Sequence, residues 1–243
     1  MSLSFRCEKI SRLSAKLGSA LTLDTSETLA LMSCYNASTN TLFETTCPAT
    51  QKPSESIIIS IEACLKEAKL SLNDIHTMLI GLGPGSFTGL RVGLATMKGL
   101  ALGAQVPLYG FCSLEALAQS HHAKIVVSIR NAQRGELFAG AFKKKNDALN
   151  CILPVGIYHP EALAMHLNTL QDCPVTLLGE AASLLKPYLK IPEQFVFTTQ
   201  QMKTEEALLL KQDEIQKGQY LELEALSPAY LRLSAAEENI KRG

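Results

Sequence analysis

A glycine-rich segment, GLGPGSFTG at residues 81–89, is the part of the sequence where backbone groups could bind an anion. Backbone N–H groups before a helix point toward such a ligand, and the helix N-terminus carries a positive partial charge. A second polar turn, DTSE at residues 24–27, separates two apolar runs that predict a β-hairpin. We predict that six residues of these two loops face a nucleotide or another anion: Asp24, Thr25, Ser26, Gly83, Gly85 and Ser86.

Common catalytic and phosphate-binding motifs do not fit the glycine-rich segment. A P-loop needs a lysine directly after its last glycine, but Gly89 is followed by Leu90 and Arg91. A dinucleotide-binding motif needs a glycine where the chain has Ser86, and this serine lies in GPGSF rather than in the G-x-S-x-G turn of a nucleophile. The five histidines are not spaced as H-E-x-x-H. We therefore predict neither a catalytic residue nor a metal site.

The same glycines have a second interpretation, in which they only form the turn and let the next helix pack closely on a sheet. The segment 90–104 predicts that helix. Residues 54–69 predict another helix, with an apolar stripe and Ser54 as its N-cap. Both interpretations, a binding loop and a packing device, stay open at this point.

Strands and helices alternate through the chain, which is typical of an α/β fold. A hairpin, a helix, a strand and a second helix fill residues 20–104, and a hairpin at 124–142 begins a similar series. The later predicted elements are a helix after Pro160, strands at 174–180 and 194–199, and helices at 181–189 and 204–217. The repetition predicts a duplicated architecture with an extension at 1–19, a first subdomain at 20–107 and a second at 108–243.

The overall composition excludes several classes of protein. Lysine plus arginine equals aspartate plus glutamate at 23 each, so no net field would attract nucleic acid or an anionic membrane. The seven cysteines are scattered and never in C-x-x-C spacing, which indicates reduced, mostly buried thiols rather than disulfides or a zinc site. No apolar run is long enough to span a bilayer. We expect a cytoplasmic protein.

The first 19 residues differ from the rest, with four cations, one acid and five serines. This balance has a weak similarity to an organellar transit peptide. We interpret the segment as a frayed amphipathic extension, or as the product of a start codon placed too far upstream.

Residues 83–93, GPGSFTGLRVG, strongly resemble the motif of the TsaB family, the YeaZ-type accessory subunit of the bacterial machinery that makes threonylcarbamoyladenosine in tRNA. Further segments resemble the family in the same order along the chain: LTLDTSE at 21–27, PLYGFCSL at 107–114, RGELF at 134–138 and SPAYLR at 227–232. The resemblance covers nearly the whole chain except its first 19 residues.

The resemblance implies a duplicated two-domain fold similar to actin, hexokinase and Hsp70. It also implies a non-catalytic scaffold or activator, which pairs with the catalytic TsaD subunit and works with the ATPase TsaE on adenosine of tRNAs that read codons beginning with A. ATP and metal would belong to the partner subunits, and tRNA would be met only through the complex. A lysine run at 143–145 is interpreted as a solvated hairpin end, with a tRNA contact as the alternative.

Two of the predicted helices resemble those that pack against TsaD, or against a second copy when TsaD is absent. The predicted interface has nine residues: Ile58, Ile59, Glu62, Phe87, Thr88, Gly89, Arg91, Gly93 and Met97. A charge at Gly93 should then block the approach of a partner helix and leave the fold intact. The alternative is that both helices simply face their own sheet.

The chain departs from the family pattern at its second hairpin, where NAQRGE replaces D-A-R-x-G-E. Asn131 and Gln133 therefore stand for the usual acid and arginine, and only Asp24 remains of a carboxylate pair that could help to hold magnesium and water. An independent actin-like ATPase or small-molecule kinase is the second hypothesis, weakened by this loss. A third, a peptidase, would need a metal or a nucleophile that the sequence lacks.

Overall fold

The structure is a computed structural model that describes residues 3–48, 53–145, 148–170 and 174–231. The chain forms two compact units, one of Met1–Ser113 with Thr204–Ala229 and the other of Leu114–Lys203 with Tyr230–Gly243. This division differs from the predicted one, because Thr204–Ala229, which include the last helix, belong to the first unit rather than the second.

The described elements are numbered here in chain order. The strands are β1 (Arg6–Lys9), β2 (Ala20–Asp24), β3 (Leu29–Asn36), β4 (Thr41–Pro48), β5 (Thr77–Gly81), β6 (Leu108–Phe111), β7 (Ile125–Asn131), β8 (Leu137–Lys145), β9 (Ala148–Tyr158), β10 (Val175–Leu178) and β11 (Phe195–Thr198). The α-helices are α1 (Pro53–Glu67), α2 (Phe87–Ala104), α3 (Ser113–Gln119), α4 (Pro160–Leu167) and α5 (Thr204–Gln216).

Within the described residues, the first unit is built on a sheet with the strand order β1-β4-β3-β2-β5-β6. Strands β1 to β4 pair antiparallel, whereas β5 runs parallel to both β2 and β6. Helices α1 and α2 cover this sheet, and the buried apolar side chains of α1 recur at helical spacing: Ile57, Ile61, Cys64 and Leu65. The periodicity of α1 thus has its physical cause in one buried stripe.

The described sheet of the second unit has the strand order β11-β10-β7-β8-β9. This order corresponds to β6-β5-β2-β3-β4 in the first unit, where β1 is an additional strand. Strands β7, β8 and β9 form an antiparallel meander, as β2, β3 and β4 do, and two parallel strands follow on the other side in each sheet. Its core packs the inner face of this sheet against α4 and a 3₁₀ helix at Glu180–Tyr188. The prediction of a duplicated α/β architecture is confirmed.

The N-terminal extension is not frayed over its described residues 3–19, so that interpretation is wrong. Strand β1 pairs with β4, with Arg6 opposite Glu44, and covers what would otherwise be the sheet edge. The guanidinium of Arg12 lies 2.9 Å from a carboxylate oxygen of Glu205 and 3.0 Å from one of Glu206, both at the start of α5. These contacts link the extension to the last helix of the same unit.

Several local predictions need correction. Helix α1 begins at Pro53, one residue before the predicted N-cap Ser54, and α2 begins at Phe87 rather than at residue 90. The predicted helix at 181–189 is a 3₁₀ helix that contains Pro187, whose ring cannot fit inside a regular α-helix. Strands β1, β4, β6 and β9 and helix α3 were not predicted.

The described cysteines differ in burial. Cys34, Cys47 and Cys64 are buried free thiols, whereas Cys7 and Cys151 are exposed and Cys112 is partly buried. The prediction that the cysteines are mostly buried therefore holds for three of the six described ones. Cys173 lies outside the described residues. Among the described helices, none combines the length and the apolar character that crossing a membrane would require.

Candidate functional site

The carboxylate of Asp24 is buried at the end of β2, with 3% of the residue exposed. Its Oδ1 accepts hydrogen bonds from the backbone N–H of Ser26, at 2.7 Å, and from the hydroxyl of the same residue. Its Oδ2 is also buried and has no hydrogen-bond partner in the described part of the chain. This oxygen lies against Gly81, where a β-carbon would meet it at about 2.5 Å.

The glycine-rich loop packs directly on the turn that follows Asp24. The backbone N–H of Ser86 donates to the carbonyl of Ser26 at 2.8 Å, and the hydroxyl of Thr25 donates to the carbonyl of Gly89 at 2.8 Å. A side chain at Gly85 would collide with the Ser26 carbonyl. The backbone of Gly83 has φ +94°, in a region that favours glycine.

The six residues predicted to face an anion therefore lie together at the N-terminal end of α2. Ser86 is the N-cap of this helix and accepts a hydrogen bond from the Gly89 N–H at 3.2 Å. Much of the polar capacity of the two loops is used between the loops themselves. Whether they also face a nucleotide stays a prediction.

Two residues of the predicted interface are buried inside the first unit. Gly93 is packed so closely on Thr25 that a β-carbon would collide with its hydroxyl. Met97 is fully buried in the core under α2. Because neither residue presents a side chain at the surface, neither can contact a partner there.

The remaining predicted interface residues are exposed or partly exposed on α1 and α2, which pack against each other. Ile59 is 63% exposed, and Ile58 and Glu62 lie beside it on α1. Near the start of α2, the guanidinium of Arg91 stacks over the ring of Phe87 at 3.9 Å, next to exposed Thr88.

An exposed stripe continues along α2 beyond the predicted residues. Its members recur at helical spacing and are mostly small: Thr88, Arg91, Ala95, Gly99, Leu102 and Gly103. Gly99 and Gly103 have open space where a β-carbon would be, and Leu102 is 71% exposed. We name this stripe, together with Ile58, Ile59 and Glu62 of α1, the α1/α2 face. The sequence contained a signal for its extent in the two late glycines of α2.

The second unit has a turn equivalent to that of Asp24 but a different environment. Asn131 ends β7, is exposed, and its Oδ1 accepts the backbone N–H of Gln133 at 2.7 Å. The three residues that follow Ala132 all have positive φ, between 55° and 79°. No group of three or more His, Cys, Asp or Glu side chains in either unit is placed to hold a metal ion, as far as the described residues reach.

Comparison with known sequences relates the chain to proteins of tRNA threonylcarbamoyladenosine formation. Residues 48–240 match the family model of TsaD, tRNA N6-adenosine threonylcarbamoyltransferase. The chain is 30% identical over 188 residues to the tRNA threonylcarbamoyladenosine biosynthesis protein TsaB of Bacillus subtilis, which covers 73% of this chain and 79% of the relative. It is 32% identical over 146 residues to the Escherichia coli protein of the same name, covering 58% of each.

A solved structure supports the fold assignment. YeaZ from Pseudomonas aeruginosa superposes with a TM-score of 0.74 at 20% identity, covering 88% of this chain and all of that one. With the repeated strand order of the two sheets, this likeness confirms the predicted duplicated α/β fold, which the chain shares with YeaZ.

Proposed function

Because the chain belongs to the TsaB family, a family of tRNA threonylcarbamoyladenosine biosynthesis proteins, we propose that it is the non-catalytic scaffold of a threonylcarbamoyl transferase complex. Its direct partner would be a TsaD-type catalytic subunit, and a TsaE-type ATPase would complete the machinery. ATP and metal would be held by those partners. The work would take place in the cytoplasm, on tRNAs that read codons beginning with A.

The observation that carries this proposal is the α1/α2 face. Small residues on α2 let a partner helix come close, because the distance between two helix axes depends on the side chains at the contact. Ile59 and Leu102 are large apolar side chains exposed to water, and they are available for contact with the apolar surface of a protein partner. Glu62 and Arg91 supply charges around it.

The test is a pull-down of the TsaD-type subunit from the same genome with variants of this face. Ile59→Asp and Leu102→Asp each place a charge in an apolar contact, and we expect each to weaken binding about tenfold or more. Met165→Asp is the matched control, since Met165 is 68% exposed on α4 in the second unit. Thermal melts of all three variants should match the unmodified protein.

The outcomes separate the hypotheses for this face. Light scattering of the isolated chain shows whether a second copy occupies the face when the catalytic subunit is absent. Failure of the unmodified chain to bind a TsaD-type subunit would overturn the scaffold proposal. Equal binding by Ile59→Asp and Met165→Asp would place the interface elsewhere.

The second candidate function, an actin-like ATPase or small-molecule kinase, has one observation in its favour. The Oδ2 of Asp24 is buried beside the glycine-rich loop and has no hydrogen-bond partner among the residues that the structure describes. Magnesium-dependent ATP turnover by the isolated chain, lost in Asp24→Asn, would establish this function. We expect no such turnover, because the second unit offers exposed Asn131 where an acid would be needed.

A further inference from the structure

The described residues of the second unit carry a concentrated group of cations at one end of its sheet. Strand β8 ends in Lys143, Lys144 and Lys145, and Lys124 directly precedes β7. The backbone N–H of Lys144 donates to the carbonyl of Lys124 at 2.9 Å, so the two strand ends are neighbours. We name Lys124, Lys143, Lys144 and Lys145 the basic end.

The neighbours of the basic end on the adjoining strands are neutral. Lys143, Lys144 and Lys145 pair with Asn150, Leu149 and Ala148 of β9. On the other side, Lys143 pairs with Ile125 of β7. In the sequence, residues 143–147 hold three lysines and one aspartate, 3 − 1 = +2. The pairing therefore supplies no carboxylate across the sheet to neutralise these cations.

Most lysines of the basic end are exposed to solvent and are not neutralised by an acid among the described residues. Lys124, Lys143 and Lys145 are exposed, and none of them forms an ion pair within the described residues. Lys144 is less exposed, and its ammonium group donates to the carbonyl of Gln119 at 2.5 Å. Because side chains alternate along a strand, Lys143 and Lys145 lie on one face of β8, about 7 Å apart along the strand.

His121, which follows α3, is affected by its burial and by nearby cations. The pKa of His121 is lowered first by burial, and then by the positive charges of His122 and Lys144. The Nδ1 atom of His121 accepts a hydrogen bond from the backbone N–H of Ala123 at 3.1 Å, which requires this nitrogen to be unprotonated. Nearby cations thus contribute to the lowered pKa of His121, after burial.

Such a group fits a chain of phosphates better than a folded protein partner. Exposed lysines bind phosphate as point charges on flexible stems, and this contact positions a nucleic acid without reading its bases. The exposed apolar residues that make the α1/α2 face suitable for a protein belong to the first unit. We propose that the basic end contacts the tRNA backbone when the chain is in its complex, an inference that rests on the proposed function.

The experiment compares two triple variants in the assembled complex with its TsaD-type and TsaE-type partners. Lys124→Gln, Lys143→Gln and Lys145→Gln together remove the exposed charges of the basic end. Lys9→Gln, Lys190→Gln and Lys217→Gln remove three exposed lysines elsewhere and serve as the control. Affinity for a tRNA that reads codons beginning with A is measured at several salt concentrations from about 50 to about 200 mM. Over roughly this range, phosphate contacts make binding strongly dependent on salt.

We expect the first triple variant to bind the partner subunits normally but to bind tRNA several-fold more weakly. The slope of log affinity against log salt should fall by about 1 for each lysine that contacts a phosphate. The control triple should change neither quantity. Unchanged tRNA affinity and slope in the first triple would overturn the inference while leaving the scaffold proposal intact.

Loss of partner binding by the first triple would also overturn the inference, because the basic end would then serve an acidic protein surface. Failure of the unmodified chain to assemble at all contradicts the proposed function instead. Assembly is measured separately from tRNA affinity, so the two failures can be distinguished.

Discussion

The first strand of the meander ends in the same kind of turn in both units, yet the two turns have different surroundings. Asp24 and Asn131 each use Oδ1 to accept the backbone N–H two residues later, at 2.7 Å in both cases. Asp24 is buried beneath the glycine-rich loop, whereas Asn131 is exposed. The hydrogen bond that the two turns share is thus set by local backbone geometry. The turns differ in burial, and only the turn of Asp24 packs against the glycine-rich loop that is a candidate binding site.

The segments after the first parallel strand show the same contrast. In the first unit, β5 leads through glycines into α2, a helix of 18 residues. In the second, β10 leads through Gly179 into a 3₁₀ helix of 9 residues. A side chain at Gly179 would collide with the carbonyl of Ile129, so close backbone approach occurs in both units. A long helix that can present a partner surface follows it only in the first unit.

The largest effects on stability and on partner binding are expected at two glycines on opposite faces of α2, buried Gly93 and exposed Gly99. Gly93→Glu would force a charged side chain into Thr25, so we expect it to lower the free energy of unfolding by about 3 kcal/mol or more. Gly99→Glu has open space and should melt like the unmodified protein, yet fail to bind the TsaD-type subunit. Circular dichroism melts and a pull-down measure both effects.

This pair replaces the expectation that a charge at Gly93 would spare the fold. A native melt for Gly93→Glu would contradict the packing of α2 on the Asp24 turn. Full partner binding by Gly99→Glu would remove the small-residue stripe from the interface.

The contrast between these glycines also shows how far the sequence could lead. The motif at 83–93 indicated the family and the helix, but both faces of α2 are rich in small residues, so spacing did not distinguish buried Gly93 from exposed Gly99. Strand β9 was missed because it contains Pro154 and Gly156, which are unfavourable inside a strand. Strand β1 depends on pairing with β4, a contact between distant residues that local pattern cannot reveal.

A smaller effect should follow from weakening the contact between the N-terminal extension and α5. The described residues of the second unit include no counterpart of this extension. Arg12→Ala removes the guanidinium that lies 2.9 Å from a carboxylate oxygen of Glu205 and 3.0 Å from one of Glu206, both of which are mostly buried. Because Arg12 is about half exposed, solvent screens the pair, and we expect a loss of about 1–2 kcal/mol. Urea unfolding measures the loss, with Lys16→Ala as the control from the same segment.

Hydrogen exchange locates the effect of Arg12→Ala. Faster exchange should be confined to β1, β4 and α5, while the sheet of the second unit keeps its protection. Equal stability of Arg12→Ala and Lys16→Ala would mean that strand pairing alone holds the extension in place.

The last test compares the two turns directly by exchanging their side-chain types, and one of the two exchanges has the smallest expected effect. Asp24→Asn should lower the free energy of unfolding by about 1–2 kcal/mol, because a neutral amide oxygen accepts the two Ser26 hydrogen bonds less strongly. Its amide N–H₂ would also be buried against Gly81 without an acceptor. Asn131→Asp keeps an acceptor in an exposed turn and should stay within about 0.5 kcal/mol of the unmodified protein. Urea unfolding of both variants decides the matter: equal effects would show that burial does not distinguish the turns, and the contrast between the two units would then rest on the helices alone.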